Sequence, residues 1–417
     1  MNLRLYLKLA ILLTAVDSIF LTYLYSAGMG DDFVRIYLLA KVVIDAVFVM
    51  SNWKLMRPSR FEAALLMILA LHAFAGFVLL PMISNAYLPG RAVNDLIGPL
   101  FFITKVIMFR GLIGRGDLSP NMIRLLVRSL IVLAVIQIMI FSVLSRSSGA
   151  YAGITPPVNV PIAFGLAFSQ PWLIAVSMVV ILLSGKRSFL LAAVIAISIR
   201  SAVQPNNRVP FVIGGAVVIL VMVLVGGAAS GMIPEAILDK MRQSSMIFDL
   251  AGIVFRDGPG ALFDESVRHD LYLATAGRSE EIFAIIANMN WYNFFTGLGA
   301  GFTYSYMHWD GWMDGYANSH FSPLALTYKF GIIFMLCTYQ YIWEGVLTLL
   351  KGDDKFASMI ALAIIIFVVE SFFAFNLFVE VFLPLLVALR QLAVTGDLPR
   401  SEKTRPATIR GESNVRV

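Results

Sequence analysis

Cys337 is the only cysteine in 417 residues, and it lies inside an apolar run. An internal disulfide is therefore impossible and a thiolate metal site is excluded, which leaves Cys337 as a small buried core residue. Charge is scarce as well. Charged residues make up 14% of the chain against 59% hydrophobic ones, with a mean hydropathy of +0.81. No Walker loop, carboxylate-rich metal signature or serine-triad pattern occurs anywhere. No internal repeat is visible either, which weighs against a transporter built from duplicated halves.

What the chain has instead is a succession of apolar runs long enough to cross a hydrocarbon core of roughly 30 Å. These runs are continuous and not alternating, so a β-barrel is excluded and helices remain. The expected fold class is all-α, a polytopic helical membrane protein of about 12 transmembrane helices. One stretch interrupts the pattern. Residues 230–321 hold three of the four histidines and 11 of the 26 acidic residues. Their net charge is −6 against +12 for the rest. The stretch reads as one large aqueous loop, and the charge asymmetry as a topology signal with no bearing on nucleic acid. The expected organisation is N-terminal transmembrane helices over 1–229, the loop over 230–321, C-terminal transmembrane helices over 322–395 and a polar, disordered tail over 396–417.

Arg4 and Lys8 precede the run from Leu9 to Ala27, which reads as an uncleaved signal anchor with a cytoplasmic flank. Basic clusters at Lys54, Arg57 and Arg60, at Arg110 to Arg128, at Arg200 and Arg208, and at Lys351 and Lys355 mark further cytoplasmic loops. Parity then demands a choice. A single helix over Val160 to Leu183 would put Arg200 and Arg208 outside and the acidic loop inside. Splitting it at Ser169-Gln170-Pro171, where proline lacks the amide a helix interior needs, restores every cluster to the cytoplasmic side. Both termini are then cytoplasmic. Lys186 and Arg187 are left facing outward against the charge rule, as an anion site would be.

Within the loop, Ser279-Glu280-Glu281 opens a segment in which Ile282, Phe283, Ile285, Ile286 and Met289 recur at helical spacing. Arg278 stands just before it, where a helix start and a guanidinium together could meet phosphate oxygens. The alternative is that Arg278 pairs with Glu281 or Asp270. Gly297, Gly299 and Gly301 read as a tight turn ahead of a phosphate cradle. Next come Tyr304, Tyr306, Trp309, Trp312 and Tyr316, interleaved with His308, Asp310, Asp314 and Asn318. Such rings suit sugar faces or lipid headgroups. His320 stands where the loop returns to the membrane, and an imidazole there can take a proton from a hydroxyl or be a structural residue. Zinc bound by His269, His308 and His320 matches no ligand spacing, so neither metal nor cofactor is expected. Inside the membrane, Lys41 and Asp45 lie four apart and should neutralise each other. Arg91, Asn94 and Asp95 could join the site from the outer end of the fourth span.

Together these elements resemble the bacterial O-antigen polymerase and ligase superfamily of membrane glycosyltransferases. Ser184-Gly185-Lys186-Arg187-Ser188 fits its serine-arginine element at an outward break between helices. Arg278 leading to Gly297 and Gly299 fits its large external loop. His320 with Gly331 fits its histidine followed eleven residues later by a glycine. Phe321 replaces the family's asparagine, although Asn318 could supply the amide. The resemblance covers roughly Gly153 to Tyr339. It implies a GT-C-like fold in the bacterial inner membrane, with the loop in the periplasm. It also implies transfer from an undecaprenyl-diphosphate-linked oligosaccharide without metal or nucleotide sugar. Arg187, Lys186 and Arg278 would neutralise the diphosphate and His320 would be the base. Arg91, His308, Trp309, Trp312, Tyr316 and Asn318 would contact substrate. Polymerisation of repeat units into O-antigen or exopolysaccharide is the reading adopted. Ligation of a finished glycan and a lipid-linked glycan flippase are the alternatives. Candidate partners are the bilayer, a separate flippase and a chain-length regulator.

Overall fold

The structure is a computed structural model. It describes residues 1–26, 31–84, 87–148, 155–184, 186–203, 246, 249–250, 252–258, 260–261, 264–275, 277–308, 311–316, 321–373, 377–378 and 380–397. The expected span over 209–229 and the tail after 397 lie outside them. Among the described residues, five helices are long and apolar enough to cross a membrane: Leu3–Leu24, Arg60–Ile83, Pro89–Gly114, Asn121–Phe141 and Ser322–Lys351. Apart from one small β-hairpin, the fold of the described residues is that of an all-α membrane protein.

In order, α1 is Leu3–Ala15 and continues through a π-helical turn, Val16–Leu21, to Ser26. Helix α2 is Asp31–Ser51. Helix α3, Arg60–Phe74, passes through a second π turn at Ala75–Leu79 and ends at Ile83. Helices α4 (Pro89–Gly114) and α5 (Pro120–Ser148) follow. Exposed apolar side chains along α2 and α3, among them Ile36, Leu39, Met50, Met67, Leu71 and Met82, form the surface a bilayer would cover.

The stretch that sequence divides at Pro171 is divided in the structure too. Helix α6 is Asn159–Ala167 and α7 is Pro171–Leu183, with Pro171 in the first turn, where its missing amide costs nothing. Ser169 between them takes φ +53°, and the Gln170 amide donates to the Gly165 carbonyl at 2.8 Å. Nine residues of helix span only about 14 Å, so α6 cannot cross a bilayer alone. The pair is a hairpin whose ends meet, since the Lys186 ammonium donates to the Thr155 hydroxyl. A hairpin that enters and leaves by one face preserves the parity for which the split was made.

All nine residues of α6 are buried, and it packs on α14 (Lys355–Ser371), which is apolar all round and almost wholly buried. Helix α8 (Arg187–Val203) covers another side of α14. From the loop come α9 (Glu265–Thr275), α10 (Arg278–Asn288), α11 (Trp291–Thr296) and an antiparallel hairpin, β1 (Tyr304–His308) with β2 (Gly311–Tyr316). The chain returns as α12 (Ser322–Trp343), α13 (Val346–Lys351), α14 and α15 (Leu383–Thr395).

Polar groups in this core are paired across long sequence distances. Asp45 accepts from Lys105 at 2.7 Å and from the Tyr6 hydroxyl at 2.7 Å. Lys41 does interact electrostatically with Asp45 as expected, while the direct bond from Lys105 ties α2 to α4. At the end of the bundle away from the loop, Glu62 accepts from both Arg110 guanidinium nitrogens, at 2.8 and 2.9 Å, and from the Tyr341 hydroxyl at 2.6 Å. It also completes a capping box with Ser59. Helices α3, α4 and α12 are bolted together there.

Candidate functional site

Lys186 follows α7 and reaches back to Thr155, with its ammonium 5.9 Å from the centre of the Phe189 ring. Electrostatic partners converge on it from four other elements: Glu370 near the end of α14, Glu380 before α15, Asp17 in the first π turn and Arg278 of the loop. Lys41 of α2 faces Glu380 and Asp17 in turn. Glu370 is held from the other side by the Asn159 amide, which donates at 2.8 Å. A cluster of three cations and three carboxylates therefore sits where the hairpin, the loop and the end of α14 meet. Arg187 opens α8 immediately beside it; the Arg187 side chain is outside the described residues.

Arg278 is the one residue of the loop placed in this cluster among those described. Gly277, at φ +81°, turns the chain out of α9 and into α10. The Arg278 guanidinium then donates to the Phe373 carbonyl at 2.9 Å, just past the end of α14. Glu281 is buried and accepts from the Tyr304 hydroxyl at 2.8 Å. Glu280 accepts from Arg268 at 2.9 Å, and this contact raises the Arg268 guanidinium above its ordinary value. At the start of α10 the Ser279 amide donates to Thr275 Oγ1 at 3.2 Å and the Glu281 amide to the Gly277 carbonyl, so two of the amides there are already engaged.

A second polar group, which sequence had assigned to the site, is a structural tie. Asp95 forms a buried ion pair with Lys329 of α12 and accepts from the Gly301 amide at 2.9 Å. Arg91, exposed in the first turn of α4, interacts electrostatically with this pair and not with Lys186. The glycine run serves the same purpose. Gly297, Gly299 and Gly301 all have positive φ. The Leu298 and Gly299 amides donate to the carbonyls of Tyr328 and Lys329 at 2.5 and 3.1 Å. Gly331 kinks α12 at φ +85°, and a Cβ there would run into the Phe295 carbonyl oxygen. The glycines are a turn that docks the loop, not a phosphate cradle.

The aromatic segment forms the β-hairpin. Tyr304 and Tyr306 point inward and are buried while Trp312, on β2, is exposed. Burial beside Phe302, ring centroids 5.6 Å apart, raises the Tyr87 phenol above its ordinary value. His308 and Tyr316 lie in the strands with side chains outside the described residues. Trp309, Asn318 and His320 lie outside them altogether.

Sequence reasoning marks Glu370 and Glu380 as costly intramembrane charges without assigning them to the site, and it passes over Asp17. The available signal was a carboxylate inside an apolar run, which is costly unless it has a partner. No group of metal-binding side chains occurs among the described residues. Chemically, the cluster can neutralise an anion with Lys186 and Arg278 and offer a carboxylate to a hydroxyl, at one end of the bundle. No protein-family model, curated protein or solved structure matches the chain.

Proposed function

We propose that this chain is a metal-independent glycosyltransferase that polymerises undecaprenyl-diphosphate-linked oligosaccharide repeat units at the periplasmic face of the bacterial inner membrane. The observation that carries the reading is the meeting of loop residue Arg278 with Lys186 at the mouth of the α6–α7 hairpin, beside Glu370 and Glu380. A lipid-borne diphosphate arrives from the bilayer, so cations that receive it belong at the junction of membrane helices and loop.

The reaction follows from these parts. An acceptor hydroxyl oxygen bonds to the donor's anomeric carbon while the bond from that carbon to the diphosphate oxygen breaks. Negative charge grows on the leaving undecaprenyl diphosphate, and Lys186, Arg187 and Arg278 stabilise it. The hydroxyl proton passes to His320, two residues ahead of α12 in the chain. Aromatic side chains of the β-hairpin, Trp312 among them, supply flat faces for the sugars.

Replacing Arg278 or Lys186 with alanine should remove about 2 to 4 kcal/mol of transition-state stabilisation, or roughly 30-fold to 1000-fold in rate. The test is polymer length and yield in cells producing each variant at matched levels. Short, sparse polymer is the expected result. Normal polymer from both variants contradicts the assignment. For His320, turnover should fall as pH drops below about 6.5, because a base must be neutral to accept a proton. His320→Ala should abolish that dependence in whatever activity remains. An unchanged profile in the variant would move the base to Glu370 or Glu380.

A further inference from the structure

Residues 230–321 read as a segment that no bilayer could hold, yet part of it is packed among membrane helices. Helices α3 and α12 run antiparallel, because Phe61 stacks on Tyr341 at 6.0 Å and His72 meets Phe330 at 5.2 Å. Depth along one can therefore be read against the other. The Phe295 carbonyl sits against Gly331, seven residues below Leu324, the first large apolar residue of α12, or about 10 Å at the helical rise. On α3 the same level is reached: a Cβ on Gly76 would lie 2.7 Å from the Ala300 carbonyl oxygen, and Gly76 is seven residues short of Ile83, where the helix ends. Two helices thus place residues 295–300 about a third of the way into a hydrocarbon core of roughly 30 Å.

We propose that α11 and the turn after it are inserted in the leaflet at the loop end of the bundle, with their exposed aromatic side chains in contact with lipid acyl chains. Trp291, Tyr292, Phe294 and Phe295 are 78%, 52%, 41% and 51% exposed, a density of bare rings that water would not favour on six residues of helix. Their order fits a leaflet. Trp291 and Tyr292, with polar edges suited to headgroups, come first, and the two phenylalanines follow toward Gly331. The backbone also meets the demand that hydrocarbon makes of irregular chain. The Gly297 amide donates to Asn293 at 2.8 Å, those of Leu298 and Gly299 to α12, and that of Gly301 to Asp95. The Thr296 hydroxyl turns back onto the Tyr292 carbonyl at 3.0 Å. The ring surface continues the lipid-facing bands of α3 and α12, where Phe74, Val78, Ile333 and Leu336 are exposed at comparable depth.

The test uses full-length protein carrying Cys337→Ala and one new cysteine, reconstituted in phosphatidylethanolamine and phosphatidylglycerol vesicles and spin-labelled. With Phe295→Cys, the label should collide with oxygen more than with a water-soluble nickel chelate, and the ratio should reverse for Trp312→Cys on the β-hairpin. Equal, chelate-dominated ratios at both positions would overturn insertion. Because Phe295 lies at the docking contact with Gly331, wild-type protein and Trp291→Phe are also compared in lipids brominated near the headgroup. Insertion requires that wild type lose the larger share of its tryptophan fluorescence. An equal share lost by both proteins would contradict it.

Discussion

The two ends of the bundle handle buried charge differently. At the end away from the loop, Glu62 is met by direct hydrogen bonds from Arg110, Tyr341 and its own capping serine. Each bond joins elements that must stay together. At the loop end, Lys186, Arg278, Glu370 and Glu380 come from separate elements and act on one another mainly through space. Lys186 donates to Thr155, Arg278 to the Phe373 carbonyl, and Glu370 accepts from Asn159. A closed network stabilises a fold, whereas charges of both signs drawn from several elements set up a field that a ligand can use. On the proposed reading Glu62 serves stability, and Lys186 with Arg278 serves function.

That contrast can be broken at either end. Lys329→Ala would leave buried Asp95 without its cation and should cost about 3 to 5 kcal/mol of stability, read as a lower unfolding midpoint in detergent. Glu62→Ala leaves Arg110 its bonds to Gln391 and the Arg57 carbonyl and should cost about 1 to 3 kcal/mol, with turnover per folded molecule unchanged. Arg278→Ala should show the opposite pattern, with an unfolding midpoint near wild type and activity down roughly 30-fold to 1000-fold. Arg278→Lys should recover part of the loss, since charge returns without the bidentate fork. Smallest of all, Arg268→Ala removes an exposed pair with Glu280 and should change stability by at most about 1 kcal/mol. A large activity loss in Glu62→Ala at equal folded protein would erase the distinction between the ends.

How much of this was legible in sequence depends on the range of the interaction. Pro171 announced the α6–α7 break because a missing amide acts within a single turn. The apolar period of 282–289 announced α10. The electrostatic partner of Asp45 was legible, but its directly bonded one was not. Lys41 is four residues away, but packing of α2 on α4 brings Lys105, 60 residues distant, to bonding range. Docking of Gly297 on Gly331 escaped for the same reason, since each glycine read alone is only a turn. The β-hairpin was nearer to reach. Alternation of buried Tyr304 and Tyr306 with exposed Ser305 and Met307 is a period of two, the local signature of a strand. The gathering of Asp17, Glu370 and Glu380 around Lys186 depends on tertiary structure alone.

The proposed orientation has its own check. A cysteine at Asp314, exposed on β2, should react with an impermeant thiol reagent in intact cells whose outer membrane has been permeabilised. Labelling only after lysis would put the loop in the cytoplasm, away from any lipid-linked glycan on the periplasmic side. The most direct measurement supplies purified protein with undecaprenyl-diphosphate repeat units as both donor and acceptor, in the presence of a chelator. The account predicts a ladder of glycans lengthening by one repeat at a time, and almost none from Arg278→Ala folded to the same extent. Repeat units returned unextended by the wild-type protein, under conditions where it binds them, would contradict polymerisation.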